Sequence, residues 1–210
     1  YVDAPLPVYP QLLDLVHGKE YFVLTTNVDH QFWLAGFQDE CIFATQGDYG
    51  LFQCKQACHK KLYDNEAQIR AMLRKQKDCR IPSGMVPRCP ACNGPMTMNL
   101  RCDGYFVEDG HWHQAAGRYG DFLKRAAGRR LALLELGVGF NTPAIIRFPF
   151  EKMLGENSGW SLIRLNLDDA AVPESLGSRA VGINMDLAVC LEDISAALGD
   201  RAGEGSGPGK

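Results

Sequence analysis

Tyr21-Phe22-Val23-Leu24-Thr25-Thr26-Asn27-Val28-Asp29 changes character at its midpoint. Residues 21–25 are a short apolar and β-branched run with polar neighbours, the pattern of a buried strand. Thr26-Asn27-Val28 then reads as a turn, and residues 29–35 as a helix stopped by Gly36. Working outward, the same rhythm recurs. Residues 41–45 read as a second strand, and residues 130–136, 162–167 and 180–184 as further strands. Residues 11–16, behind Pro5, Pro7 and Pro10, and residues 121–129 read as helices. Leu187, Leu191, Ile194 and Leu198 mark one face of a last helix at i, i+4, i+7 and i+11. Short buried strands alternating with helices predict an α/β fold with a doubly wound parallel sheet.

The composition bounds the function classes. Of 210 residues, 46% are hydrophobic and 22% charged, an ordinary globular balance that excludes disorder over most of the chain. The apolar runs at 131–134 and 144–146 fall far short of the roughly 20 residues a membrane span needs. With 22 Lys+Arg against 25 Asp+Glu and a net charge of −3, the chain as a whole has no phosphate-tracking character, so neither a membrane nor a nucleic acid is expected as partner. The chain starts at Tyr1 without a basic-then-apolar leader, and a cytoplasmic location is expected. From residue 199 onward Gly and charged residues dominate, which predicts a disordered tail to 210.

Eight cysteines are present, and four fall into two close pairs: Cys54-Lys-Gln-Ala-Cys58 and Cys89-Pro-Ala-Cys92. Each spacing delivers two thiolates from one tight turn, and four sulfurs close a tetrahedral zinc shell, so a structural Zn2+ is expected on Cys54, Cys58, Cys89 and Cys92. Pro90 stiffens the second turn, and Gly94 frees backbone N–H groups to face the sulfurs. His59, His111 and His113 are not needed as ligands. The pairs belong to an inserted module over residues 51–100, which holds a short helix at 66–73.

Ligands of open α/β sheets collect at the carboxyl ends of strands. Three such ends carry glycine or polar side chains: Thr26, Asn27 and Asp29 after the first; Gly137-Val138-Gly139-Phe140-Asn141-Thr142-Pro143 after residues 130–136; and Asn166 with Asp168 at the close of 162–167. Glycines let backbone amides approach phosphates, and Asn or Asp can grip ribose hydroxyls, so the three ends together read as a nucleotide cleft. Taken singly, the glycines fit turns and Asn27 fits a helix cap.

Thr25-Thr26-Asn27-Val28-Asp29 resembles the Thr-Gln-Asn-x-Asp motif of sirtuins. Thr45-Gln46-Gly47-Asp48-Tyr49-Gly50, of which residues 46–50 read as a Gly-flanked loop, stands where that family carries its catalytic His-Gly. The cysteine pairs follow in the order of the sirtuin zinc module, residues 137–143 match its Gly-Thr-Ser segment, and Leu165-Asn166 its ribose-binding Ile-Asn. The details look most like the macrodomain-linked class M sirtuins. That resemblance implies a Rossmann-like NAD-binding domain over residues 1–50 and 101–198 with the zinc module inserted at 51–100. It implies NAD as cofactor, held by Thr26, Asn27, Asp29, Gln46, Gly137, Gly139, Asn141 and Asn166. It also implies ADP-ribosyl transfer to a lipoylated glycine-cleavage-H-like carrier protein, with a macrodomain protein as a further partner.

Two departures from the family pattern shape the expectation. A glutamine amide has no useful basicity, so Gln46 can orient a ribose or an acceptor but cannot take the proton that deacylation requires. Cleavage of the nicotinamide–ribose bond asks for positioning and nearby acceptors instead, with Asn27 and Gln46 as the catalytic candidates. The Gly-Ala-Gly-x-Ser segment of sirtuins is missing, which predicts an absent N-terminal part and impaired NAD binding by these 210 residues. An NAD-dependent protein-lysine deacylase and a non-catalytic zinc-binding interaction module are the alternatives.

Overall fold

Parallel pairing starts at the stretch quoted first. In the computed structural model, which describes residues 1–140 and 143–204, β1 (Val23–Thr25) pairs in parallel with β2 (Ile42–Ala44). The chain forms two compact units. One comprises Tyr1–Ala4 and Phe22–Gly120, the other Pro5–Tyr21 and Asp121–Lys210. β1, β2 and the cysteine-bearing segment belong to the first of these units.

In the first unit, β3 (Gly47–Cys54) is the centre of an antiparallel sheet, flanked by β4 (Tyr63–Asp64) and β5 (Met96–Leu100). Residues 46–50 are therefore not a loop beyond Gln46. Gly47, at φ +101°, is required by close approach, since a Cβ there would lie 2.0 Å from the Asn99 carbonyl oxygen. Below this sheet Gln53 and Asn99 are buried together. The Asn99 amide donates to Gln53 Oε1 at 2.7 Å and the Val107 N–H to the same oxygen at 3.0 Å, so each buried polar group is paired.

The helix expected over 29–35 shrinks to one turn, α2 (Gln31–Leu34), because His30 takes a left-handed φ of +61° and interrupts helical geometry after Asp29. α3 (Glu66–Lys75) matches the expected short helix and runs two residues further. The helix expected at 121–129 is the end of a longer one, α4 (Gly110–Ala126). Trp112, Ala115, Tyr119, Phe122 and Ala126 fall at helical spacing along it, and Trp112 and Tyr119 meet Phe43 of β2 with ring centroids 5.0 and 6.4 Å apart.

The second unit holds a three-stranded parallel sheet, β6 (Leu131–Leu136), β7 (Trp160–Asn166) and β8 (Ala180–Asn184), with β7 central. The expected parallel strands are thus hydrogen-bonded in two sheets, one per unit. Ala126, Leu133, Leu154, Trp160 and Leu162 form the buried cluster beneath β6 and β7. Two helices flank this sheet in sequence: α5 (Arg147–Glu156), which the sequence reading did not foresee, and α6 (Leu187–Glu204). The N-terminal α1 (Val8–Val16) is tied to α6 by a Gln11–Glu192 hydrogen bond of 3.2 Å. α6 runs to Glu204, so the disordered tail expected from 199 is helical over its first six residues; residues 205–210 lie outside the described part.

β6 and β7 are also joined beneath the sheet. Arg164 is fully buried and forks onto Glu135 at 2.7 and 2.9 Å, with Glu151 at 2.8 Å and the Ala171 carbonyl as further acceptors. Such a charge is tolerated in the interior only because its donors are matched by acceptors.

Candidate functional site

The zinc ligands expected from the sequence come together. The Sγ atoms of Cys54, Cys58, Cys89 and Cys92 all lie within 4.8 Å of one another. Cys54–Cys92 and Cys58–Cys89 are each 3.7 Å apart. A tetrahedral zinc with bonds of about 2.3 Å would set its sulfurs about 3.8 Å apart, so the four positions fit that ion. Two turns of similar build create the site. After β3, Ala57 turns back at φ +47° and its N–H donates to the Cys54 carbonyl at 2.9 Å. In the second turn Asn93 takes φ +55°, its N–H donates to the Cys89 carbonyl at 2.8 Å, and the Gly94 N–H faces Cys92 Sγ at 3.4 Å.

Backbone donors ease two of the four sulfurs toward the thiolate. The Cys58 N–H, then that of Gln56, pulls the Cys54 thiol down to about 6. The N–H groups of Cys92 and Ala91 lower Cys89 in the same way. Cys58 is pushed up, first by desolvation and then by the crowding sulfurs of Cys54, Cys92 and Cys89. A cluster that cannot hold four thiolates alone is the donor set a divalent soft-tolerant cation stabilises. His59 stands beside it, with Nδ1 3.0 Å from Cys58 Sγ and Nε2 2.9 Å from the Tyr63 hydroxyl. In the tautomer protonated at Nδ1 it donates to the sulfur and accepts from Tyr63, a supporting contact rather than a fifth ligand. His111 and His113 pair instead with Asp39 at 3.2 Å and Glu108 at 3.8 Å.

In the same unit the candidates Thr26, Asn27, Asp29 and Gln46 follow the carboxyl ends of β1 and β2. The register pairs Val23 with Ile42 and Thr25 with Ala44, so Asn27 and Gln46 each follow their strand's last paired residue by two positions. Thr25 holds the two ends together. Its carbonyl accepts from the Thr45 N–H at 3.0 Å and the Thr45 hydroxyl at 3.2 Å, and its hydroxyl accepts from the Asn27 N–H at 3.0 Å. The Gln46 carbonyl accepts the Arg101 N–H at 2.9 Å. Asn27 and Asp29 are exposed, and Thr26 and Gln46 half-buried. Asp29 Oδ1 receives the Gln31 N–H at 3.4 Å, so it is Asp29, not Asn27, that meets the start of α2.

One pair here carries no sequence signal. His30 Nε2 and Asp48 Oδ2 are 2.6 Å apart, and the Tyr49 N–H donates to the Val28 carbonyl at 3.1 Å, fastening the Asn27 loop to β3. The Asp48 hydrogen bond raises the His30 pKa. Residues eighteen apart in a strand and a left-handed corner show no periodicity that would announce the contact.

In the second unit, Asn166 ends β7, and its Nδ2 donates to the Val138 carbonyl at 3.2 Å, which brings it to the Gly137–Gly139 segment. Its Oδ1 accepts from the N–H groups of Asp168 and Asp169 at 3.1 and 3.2 Å. Gly137 takes φ +61°, and its N–H donates to the Leu165 carbonyl at 2.9 Å. A cavity of about 250 Å³ opens beside this end of the sheet, bordered by Asp168, Asp169, Gly182 and Asn184. Asn141 lies outside the described residues. Trp33, Trp112 and Trp160 each donate from the indole within their own unit, to Asp39, the Thr45 carbonyl and the Ala126 carbonyl. Among the described residues no helix is long and apolar enough to cross a membrane.

No protein-family model matches the chain. It is 35% identical over 193 residues to a protein ADP-ribosyltransferase of Staphylococcus aureus, a match that covers 91% of this chain and 61% of that protein. It is 28% identical over 177 residues to a probable bifunctional ADP-ribose hydrolase/ADP-ribosyltransferase of Fusarium oxysporum f. sp. cubense, covering 80% of this chain and 30% of that one. The chain therefore spans less than two thirds of the length of either relative. Among solved structures, a Sir2–p53 peptide–NAD+ complex superposes with a TM-score of 0.60 at 21% identity, over 93% of this chain and 71% of that one. A Sir2 homologue–NAD complex gives 0.64 at 14% identity, over 94% and 66%.

Proposed function

We propose that this chain, which has the sirtuin fold of those Sir2 structures, belongs to an NAD-dependent protein ADP-ribosyltransferase whose small module is held by a structural zinc. The observation that carries the reading is that Asn27 and Gln46 each follow, by two residues, the end of one of two neighbouring parallel strands, β1 and β2, in a chain 35% identical to a protein ADP-ribosyltransferase. Bound NAD supplies the scissile nicotinamide–ribose bond. The proposed contacts are Thr26, Asn27, Asp29 and Gln46 in one unit and Gly137, Gly139 and Asn166 in the other, with Asn141 as a further contact.

Asn27 offers an amide that holds a ribose hydroxyl or a water, and Asp29 a carboxylate that orients the nicotinamide carboxamide. Gln46 adds a second neutral amide. Neutral amides position a sugar without stripping its protons, which suits departure of nicotinamide and disfavours the proton abstraction of deacylation. The acceptor is proposed to be a lipoylated glycine-cleavage-H-like carrier, and a macrodomain protein a further partner. Four reduced thiols at one site suit a cytoplasmic setting.

The test incubates the full-length protein with NAD labelled in its ADP-ribose part and a lipoylated carrier, alongside an acyl-lysine peptide. Label should pass to the carrier, fall at least about a hundredfold in Asn27→Ala and Gln46→Ala, and leave the peptide acylated. Deacylation of the peptide with no labelled carrier would overturn the reading.

A further inference from the structure

Charge is unevenly spread along this chain. Residues 51–100 carry nine Lys and Arg against three Asp and Glu, whereas the remainder carries thirteen against twenty-two. Five of the nine fall in residues 70–80: Arg70, Arg74, Lys75, Lys77 and Arg80, all exposed, with Asp78 the one carboxylate among them. Local structure concentrates them. Met72 is the buried residue of α3, and Arg70 and Arg74, each two positions away, lie about 200° round the helix from it, side by side at i and i+4.

Just beyond α3 the chain makes a two-residue hairpin. Lys77 and Arg80 exchange both backbone hydrogen bonds at 2.9 Å, with Asp78 at φ +50° and Cys79 at φ +57° on the corners. Positive φ at both corners is the type I′ turn, here built without glycine. An exchanged pair sets its two side chains opposite each other on one face, so two cations stand together.

Folding alone does not favour this arrangement. Like charges at i, i+4 and directly across a ladder are each destabilising. Glu66 offsets Arg70 at 2.8 Å, and the carboxyl end of α3 welcomes Arg74 and Lys75. Neither reason covers Lys77 and Arg80. An anionic ligand does. Leu73, beside Arg74 in α3, is 62% exposed, so the charged side chains have an apolar neighbour, as cations at protein interfaces do. Residues 70–80 hold no Phe, Tyr or Trp on which a base could stack, and the Tyr1 ring already packs against Arg70. The pattern favours a protein partner over a nucleic acid.

We propose that α3 and the hairpin at residues 77–80 form a docking surface for an acidic face of the acceptor protein, made by Arg70, Arg74, Lys77 and Arg80 with the exposed Leu73. This rests on the reading of the chain as a protein-modifying enzyme, and the test separates the two. Fluorescently labelled poly-L-glutamate and a short DNA duplex are titrated by anisotropy into the full-length, zinc-containing protein. The same is done for Lys77→Glu/Arg80→Glu and for the control Lys124→Glu/Lys152→Glu, with zinc content and circular dichroism confirming that each is folded.

The double reversal at 77 and 80 should weaken poly-glutamate binding about tenfold or more, with wild-type binding falling as salt rises. The control should bind as wild type does. Nicotinamide release from NAD without acceptor should be the same in all three proteins. Unchanged binding in the 77/80 variant, an equal loss in the control, or tighter binding of the duplex than of poly-glutamate would each overturn the docking surface. Charge-dependent binding by a protein that releases no nicotinamide would leave the surface standing and remove the catalytic reading instead.

Discussion

Replacing Arg164 by Met leaves the Glu135 carboxylate buried without its counter-charge. Arg164 and Glu135 are both fully buried, and the guanidinium meets Glu135 at 2.7 and 2.9 Å and Glu151 at 2.8 Å. An uncompensated buried charge of this kind costs about 3–5 kcal/mol, a large share of the roughly 5–15 kcal/mol by which native proteins exceed their unfolded state. Glu151 is 21% exposed and can turn to water, so the loss centres on Glu135. The Ala171 carbonyl keeps a second donor, Arg147 Nη2 at 3.2 Å. Glu135→Gln retains an acceptor oxygen and should cost about 1–3 kcal/mol. The double variant Arg164→Met/Glu135→Leu removes both charges and should recover most of the single-variant loss. Equilibrium urea unfolding followed by tryptophan fluorescence reads this as a shift in midpoint at constant slope. A cost below about 1 kcal/mol for Arg164→Met, or a double variant as unstable as the two singles summed, would refute the account of a charge network that must be complete or absent.

The Asp48 hydrogen bond raises the His30 pKa in the folded chain. Its stabilisation is therefore full below the unfolded value of about 6.5 and is lost as pH rises through the raised folded value. With the His30 side chain 36% exposed, that contribution is about 1 kcal/mol or less. NMR titration of His30 should show its midpoint falling in Asp48→Asn, and equal midpoints would contradict the pairing. Gly182→Ala places a Cβ 1.8 Å from the Ala170 carbonyl oxygen and should cost about 1–3 kcal/mol or more, read by thermal unfolding. The protein should carry one zinc per chain by elemental analysis. Cys92→Ser should release it and expose residues 47–100 to amide exchange, and full protection in that variant would dismiss the structural role.

How far the sequence spoke varied with the range of the interaction. The cysteine pairs were legible because each spacing is a local turn and the four sulfurs have one common use. β1, β2, β6, β7 and β8 were legible from short apolar runs; β8 has the expected bounds, and only the ends of the other four moved. Gly47 and Gly50 misled, since glycine as a breaker and glycine as a close-packing residue look alike in sequence. A Cβ at Gly50 would sit 2.5 Å from the His30 ring, a fact fixed by tertiary contact. The first two turns of α4 are rich in His, Gln and Gly, which hid the spacing of Trp112, Ala115 and Tyr119. Pro149 and Gly155 masked α5, although a proline in the first turn has no N–H to lose. Arg164 and Glu135, 29 residues apart, needed the parallel register of β6 and β7 before either could be paired. At the candidate site, Asn27 and Gln46 stood out as polar residues past strand ends, whereas the His30–Asp48 contact depends on a left-handed corner that no propensity foretells.

Quantifying nicotinamide released from NAD by the full-length, zinc-replete protein, side by side with its Asn27→Ala variant, bears most directly on the claim that this chain serves glycosidic cleavage of NAD. The account predicts steady release that requires Asn27 and persists when acyl-lysine substrates are withheld. Release at the same rate with alanine at position 27, or none from the wild-type protein, would contradict it.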